Sequence, residues 1–303
     1  MRFLILVGLI SIVVSASAQK FDEEALMQTL KILSADSMAG RKTGTDGNAR
    51  ARTFIKSQFK KLELEPLGND YELPFTFDRR GESTAGINLA GIIRSKTKTD
   101  QFIVISAHYD HLGVRDEKIY NGADDNASGT VVLIALVEYF KKHQPKHNLI
   151  IVAFDAEEMG LQGARSFVKE PPVPIEKIIL NVNMDMVARV DKKELVACGT
   201  FYYPQLKPLL QKVEQRDGIR LVFGHDNPEV FKGSNNWTHS SDHGPFHTAK
   251  IPFIYFGVED HADYHKVTDD FEKVNPSIYI SCVKLIVASI VELDKELSTS
   301  AKL

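Results

Sequence analysis

Only two cysteines, Cys198 and Cys282, occur in 303 residues, and no Cys-x-x-Cys or Cys/His spacing joins them. That excludes a thiolate zinc site and a fold stapled by many disulfides. Two buried free thiols are the expected state. Clustered positive charge is missing too: 37 Lys and Arg against 40 Asp and Glu give a net charge of -3, with bases and acids interspersed. This is no footprint for nucleic acid. The amino-terminal apolar stretch, Phe3 to Val14, falls short of the roughly 20 residues that span a bilayer. It follows Arg2 and precedes Ala16-Ser17-Ala18, the small-x-small form of a signal-peptidase site. The expectation is an exported chain, periplasmic or secreted, with a leader over residues 1–18 removed and no stable membrane insertion afterwards. Internal repeats, low-complexity tracts and linkers are also lacking, so residues 19–303 read as a single domain whose 43% hydrophobic content can supply one large core.

What is present is a series of apolar runs ending in chemistry. Phe102 to Ala107, Leu149 to Phe154, Ile178 to Met184 and Pro252 to Phe256 are continuous stretches rich in Val and Ile, as strands covered on both faces must be. Helical periodicity falls over Asp22 to Ser34, Gly47 to Leu62, Ala127 to Lys142, Leu161 to Val168, Gln205 to Arg216 and Pro276 to Glu296. Further strands fit Ile87 to Arg94 and Ile219 to Phe223. The alternation predicts βαβ units and a three-layer α/β/α fold around a mostly parallel, mixed sheet. The glycine-rich segment from Met38 to Gly47 reads as a surface-crossing loop.

In such folds ligands gather outside the carboxyl ends of the strands. His108 follows the first run, Glu157 and Glu158 the second, and Asp185 closes the third. His108-Tyr-Asp110 suits a metal-bound imidazole whose other nitrogen is held by a neighbour, whereas His111 reads as a structural residue, or one that supports the ligands from behind, rather than as a ligand itself. Asn121-Gly-Ala-Asp-Asp-Asn-Ala-Ser puts Asp124 and Asp125 in a turn before a helix; capping explains one acid but not this density, and a sharp glycine-flanked turn can present a carboxylate to bridge two cations. Adjacent Glu157 and Glu158 can divide labour, one as metal ligand and one as proton carrier, although acids at a helix start need no such role. Asp185 ends a buried run and needs a partner or a metal to offset desolvation. His265, in Asp263-Tyr-His, adds a further imidazole. Nitrogen and oxygen donors without sulfur suit Zn2+, with manganese or cobalt as substitutes.

These motifs, in this order, resemble the co-catalytic di-zinc peptidases that include secreted bacterial leucyl aminopeptidases, glutamate carboxypeptidases and glutaminyl cyclases. The resemblance rests on His108-Tyr-Asp, Gly122-Ala-Asp-Asp-Asn-Ala-Ser-Gly, Glu157-Glu-Met-Gly-Leu-Gln-Gly, Met184-Asp-Met and Asp263-Tyr-His, and covers nearly the whole chain after the leader. It implies a zinc-peptidase fold of phosphorylase/hydrolase-like type and two Zn2+ per chain. Asp125 would bridge them, Glu158 and His265 would complete one site, and His108 and Asp185 the other. It further implies Glu157 as general base, Asp110 as the residue orienting His108, a cis peptide between Asp125 and Asn126, a place for Asp242 near the pocket, and Tyr264 beside the developing oxyanion.

The expected activity is that of an aminopeptidase acting on unblocked peptide substrates. A glutaminyl cyclase of the same fold is one rival, disfavoured because those enzymes carry a tryptophan beside the last histidine where this chain has Tyr264. A carboxypeptidase is a second. A non-catalytic binding protein is a third, and the complete ligand set argues against it.

Overall fold

The computed structural model describes residues 21–298, apart from 214 and 217; the leader expected over residues 1–18 lies outside the described residues. The chain runs through α1 (Glu23–Leu33), α2 (Asp46–Lys61), β1 (Glu65–Pro66), β2 (Glu72–Arg79), β3 (Glu82–Ile93), β4 (Phe102–His108), β5 (Gly113–Arg115), β6 (Lys118–Tyr120), α3 (Gly129–Lys142), β7 (Asn148–Phe154), α4 (Gln162–Lys169) and β8 (Ile178–Met184). It continues with β9 (Glu194–Cys198), α5 (Lys207–Leu210), β10 (Gln215–Arg216), β11 (Ile219–Phe223), α6 (His243–Thr248), β12 (Phe253–Gly257) and α7 (Pro276–Glu296).

Ten strands form one sheet in the order β1-β3-β7-β4-β8-β12-β9-β11-β10, with β2 paired to β3. The centre is parallel: β4 pairs with β7 and β8, and β8 with β12, all in one direction. Each of these four expected strands is present, because runs of β-branched residues can fill both faces at once. Along β7, Leu149, Ile151 and Ala153 face the helical layer of α1, α2, α3 and α7, while Ile150, Val152 and Phe154 face Phe167 of α4 and Phe246 of α6. That period-two alternation makes the fold three layers deep. Asp22, Thr45 and Asn275 start α1, α2 and α7 by accepting backbone N–H groups with their side chains. Cys198 and Cys282 are buried and free.

Three local expectations need correction. No single helix covers Gln205 to Arg216; short turns surround the four-residue α5, and β10 follows. Pro208, inside the expected helix, lacks the N–H that a continuous helix would use. The strand β2, with half-exposed alternating residues, and the short β9 were not anticipated. The Met38 to Gly47 segment does not simply cross the surface: Met38, Gly40, Arg41 and Thr43 are buried, beneath the site described next.

Candidate metal centre

Parallel registry brings the ends of three strands level. His108 lies opposite Phe154, Tyr109 N–H donates to the Phe154 carbonyl at 2.9 Å, and Asp185 N–H to that of Phe256 at 3.0 Å. Residues 108–111, 155–158 and 185–186 therefore emerge side by side over one edge of the sheet. A fourth segment, 122–129, crosses above them. Its acids sort by their partners. Asp124 is fully buried and accepts from the N–H groups of Ala188 (2.6 Å) and Arg189 (3.2 Å) on one oxygen, with His261 Nε2 at 3.0 Å from the other. Asp269 accepts the N–H groups of Asp124 and Asp125. Those contacts leave the Asp125 carboxylate to face inward. The peptide between Asp125 and Asn126 is cis, as the resemblance implied.

The two oxygens of Asp125 face different donor groups. Oδ1 lies 3.4 Å from His108 Nε2, which in turn lies 3.2 Å from Asp185 Oδ1 and 4.0 Å from Glu157 Oε2. Oδ2 lies 3.0 Å from His265 Nε2, itself 3.5 Å from Glu158 Oε1. All six residues expected from sequence thus converge: His108, Glu157 and Asp185 on one side, Glu158 and His265 on the other, and Asp125 between. His111 joins the second group, its Nδ1 2.7 Å from Glu158 Oε1 and 3.7 Å from Asp125 Oδ2. Tyr264 stacks on His265, ring centroids 4.0 Å apart.

Asp110 holds this arrangement in two ways. Its backbone carbonyl, not its carboxylate, is the partner of His108 Nδ1, at 3.1 Å against 3.7 Å for Oδ1. The ring's Nε2 is thereby left for the centre. The carboxylate accepts the N–H groups of Glu157 at 3.0 Å and Glu158 at 3.3 Å. Beneath it, Thr43 Oγ1 donates to Asp155 at 2.7 Å, and Asp155 also accepts from Asn48 Nδ2 and the Ile87 N–H. Arg41, wholly buried, donates to the carbonyls of Leu33, Tyr109, Asn121 and Gly122, tying the loop after β4 to the Asp125 turn. Sequence reading missed Arg41, Thr43 and Asp155. Asp155 alone had a signal, its place at the head of the Glu157–Glu158 run.

Ala156, Met186 and His265 all have positive φ, at 58°, 57° and 55°. Side-chain-bearing residues adopt this region at a cost, and such strain gathers at functional sites. Electrostatics follow the crowding. Burial raises the carboxyl groups of Glu157 and Asp110 well above the usual range and brings Asp242, buried with neither oxygen hydrogen-bonded, to about 7. Burial would lower the His265 imidazole, but Asp125 and Glu158 raise it to about 10. For Glu158 burial is likewise overcome, and His111 and His265 hold its carboxyl low. Like-charged carboxylates packed this closely are stable only with positive charge among them. The donors are imidazole nitrogens and carboxylate oxygens without sulfur, a set that fits zinc, and the described residues offer two such groups.

Aminopeptidase YwaD of Bacillus subtilis (strain 168) is 28% identical over 218 residues, 69% of this chain and 45% of that protein; the chain spans about half the length of the curated relatives it matches. Among solved structures, BSAP, a zinc aminopeptidase from Bacillus subtilis, superposes with a TM-score of 0.70 at 18% identity, covering 93% of this chain and 98% of that one. Porphyromonas gingivalis glutaminyl cyclase gives 0.72 at 16% identity, covering 92% and 100%. These structures share the fold. The model of Peptidase family M28 matches residues 88–290, a span that includes every donor named above, and the chain belongs to that family.

Proposed function

We propose that the protein is an exported di-zinc exopeptidase that removes amino-terminal residues from unblocked peptides. The observation that carries this reading is the Asp125 carboxylate, whose two oxygens face two separate donor groups, as a ligand shared by two cations requires. His108 and Asp185 would hold one Zn2+, Glu158 and His265 the other. An aminopeptidase among the relatives and a zinc aminopeptidase among the structural neighbours support the choice of reaction and metal.

When bound, a cation pair supplies a nucleophile from water at neutral pH and Lewis acidity toward the scissile carbonyl. The remaining work falls to this chain's residues. Glu157 takes the proton of the attacking water at its carboxylate and returns it to the leaving amine. Asp110 fixes the positions of His108 and of the Glu157 backbone. Tyr264, kept protonated by burial and by Asp125 and Asp185, offers a hydroxyl to the developing oxyanion.

The test is mass spectrometry of the products after zinc-loaded protein meets an unblocked peptide that begins Gln-Leu and ends in a free carboxylate. Stepwise loss from the amino end is expected. Loss of ammonia alone would make the protein a cyclase, shortening from the other end a carboxypeptidase, and an untouched peptide would overturn the reading. Export is tested separately by sequencing the mature amino terminus, with Gln19 expected first.

A further inference from the structure

We propose that His111 is a fourth protein ligand of the cation on the Glu158 side, so that this site is closed with two imidazoles, and the His108 side, with three protein ligands, keeps the open position for water. The inference rests on the di-metal reading above and extends its ligand set.

Three observations carry it. The ring is fully buried, and its Nδ1 lies only 2.7 Å from Glu158 Oε1, yet neither atom makes a hydrogen bond within the protein. The two atoms are close without the alignment of a hydrogen bond. A buried imidazole with neither nitrogen hydrogen-bonded is costly, and coordination satisfies one of them.

The position of the ring is also built in. Gly122, at φ 57°, leaves open the volume that the ring fills: a Cβ there would stand 2.5 Å from His111 Cδ2 and 2.6 Å from Cγ. The sharp turn that presents Asp125 thus makes room for His111 as well.

Finally, the donor atoms have the right spacing. Zinc bound tetrahedrally at about 2.0–2.1 Å separates its ligand atoms by roughly 3.3–3.4 Å. Around the proposed site the nearest separations are 2.7 Å (His111–Glu158), 3.0 Å (His265–Asp125), 3.5 Å (His265–Glu158) and 3.7 Å (His111–Asp125), on both sides of that value. The two imidazoles differ in setting. His265 is partly exposed, with 39% of its side chain accessible, whereas His111 is enclosed and follows directly from the central strand β4.

The test is a crystal structure of the zinc-loaded wild-type protein, with the metals located by anomalous scattering, together with competition titration of both zinc equivalents. His111 Nδ1 is expected within about 2.3 Å of a zinc ion, near the usual bond length of 2.0–2.1 Å. In His111→Ala one of the two zinc-binding steps is expected to weaken by more than the roughly 10 to 100-fold that loss of an outer hydrogen-bonding partner causes, with the other unchanged. Two zinc ions held by His108, Asp185, Asp125, Glu158 and His265, with His111 Nδ1 more than about 3 Å from either, would overturn the inference and leave the di-metal reading intact. No bound zinc would overturn both. The wild-type structure decides the matter even if the variant fails to fold.

Discussion

Asp110 Oδ1 accepts the backbone N–H of Glu157 at 3.0 Å, so one carboxylate fixes the strand end from which the proposed proton carrier projects, while the same residue's carbonyl sets the ring of His108. In Asp110→Asn, an amide NH2 would face one of the two N–H donors it replaces as acceptor. Zinc affinity is expected to fall about 10 to 100-fold, with turnover falling as well, as read by chelator competition and steady-state kinetics. Unchanged values for both would mean that the carboxylate holds nothing of consequence.

Replacing Glu157 by Gln keeps the shape and removes the proton acceptor. Both zinc equivalents should be retained, while kcat falls about 10²–10⁴-fold. A variant with near wild-type turnover would remove Glu157 from the proposed mechanism.

Asp125→Ala takes away the carboxylate that both donor groups share. Elemental analysis after dialysis should find little or no zinc, with the fold intact by circular dichroism, and full loading would contradict bridging.

Arg41→Met addresses support instead of chemistry. Its loss leaves the buried carbonyls of Leu33, Tyr109 and Asn121 without a donor and that of Gly122 with only the Ala127 N–H. Since each unsatisfied buried group costs about 1–3 kcal/mol, the total should reach at least about 3 kcal/mol. Urea unfolding measures it, and a loss below about 1 kcal/mol would show that these carbonyls find other donors.

A pH prediction comes from His243, whose ring is buried between Phe253 and Tyr255 with Nε2 against the Trp237 carbonyl. Burial lowers its pKa to about 3, against about 6.5 when unfolded. The unfolded chain therefore binds a proton that the folded one refuses. The stability tied to the neutral ring is fully present above about pH 6.5 and declines with acidification toward pH 3. Between pH 7 and pH 5 the wild type should lose about 2 kcal/mol that His243→Gln does not, measurable by denaturant titration at each pH. Parallel losses in the two proteins would contradict the assignment.

The strands and their terminal donors were legible because both signals are local: a run such as Leu149 to Phe154 declares a doubly covered strand, and the acids after it declare its end. Residues whose role depends on distant backbone were not legible. Arg41 in a glycine-rich polar stretch looks solvent-bound until four carbonyls from three segments converge on it, and His111 looks incidental until Gly122 and Glu158 are placed around its ring. The edge strand β2 was hidden by its charged, half-exposed alternation, and the broken stretch after Tyr203 by apolar spacing that outweighed Pro208 in the reading.

The place of β12 between β8 and β9 has a consequence for the order of assembly. β12, the last strand among the described residues, fills an interior slot of the sheet, so β8 and β9 both wait with unpaired edges until the chain has extended past Gly257. His265, just beyond β12, reaches Asp125 and Glu158 through the same segment. Closure of the sheet and completion of the donor set are therefore one late event: a chain truncated before β12 would have neither, and a nascent one would gain cation-binding capacity only as it becomes resistant to unfolding and cleavage.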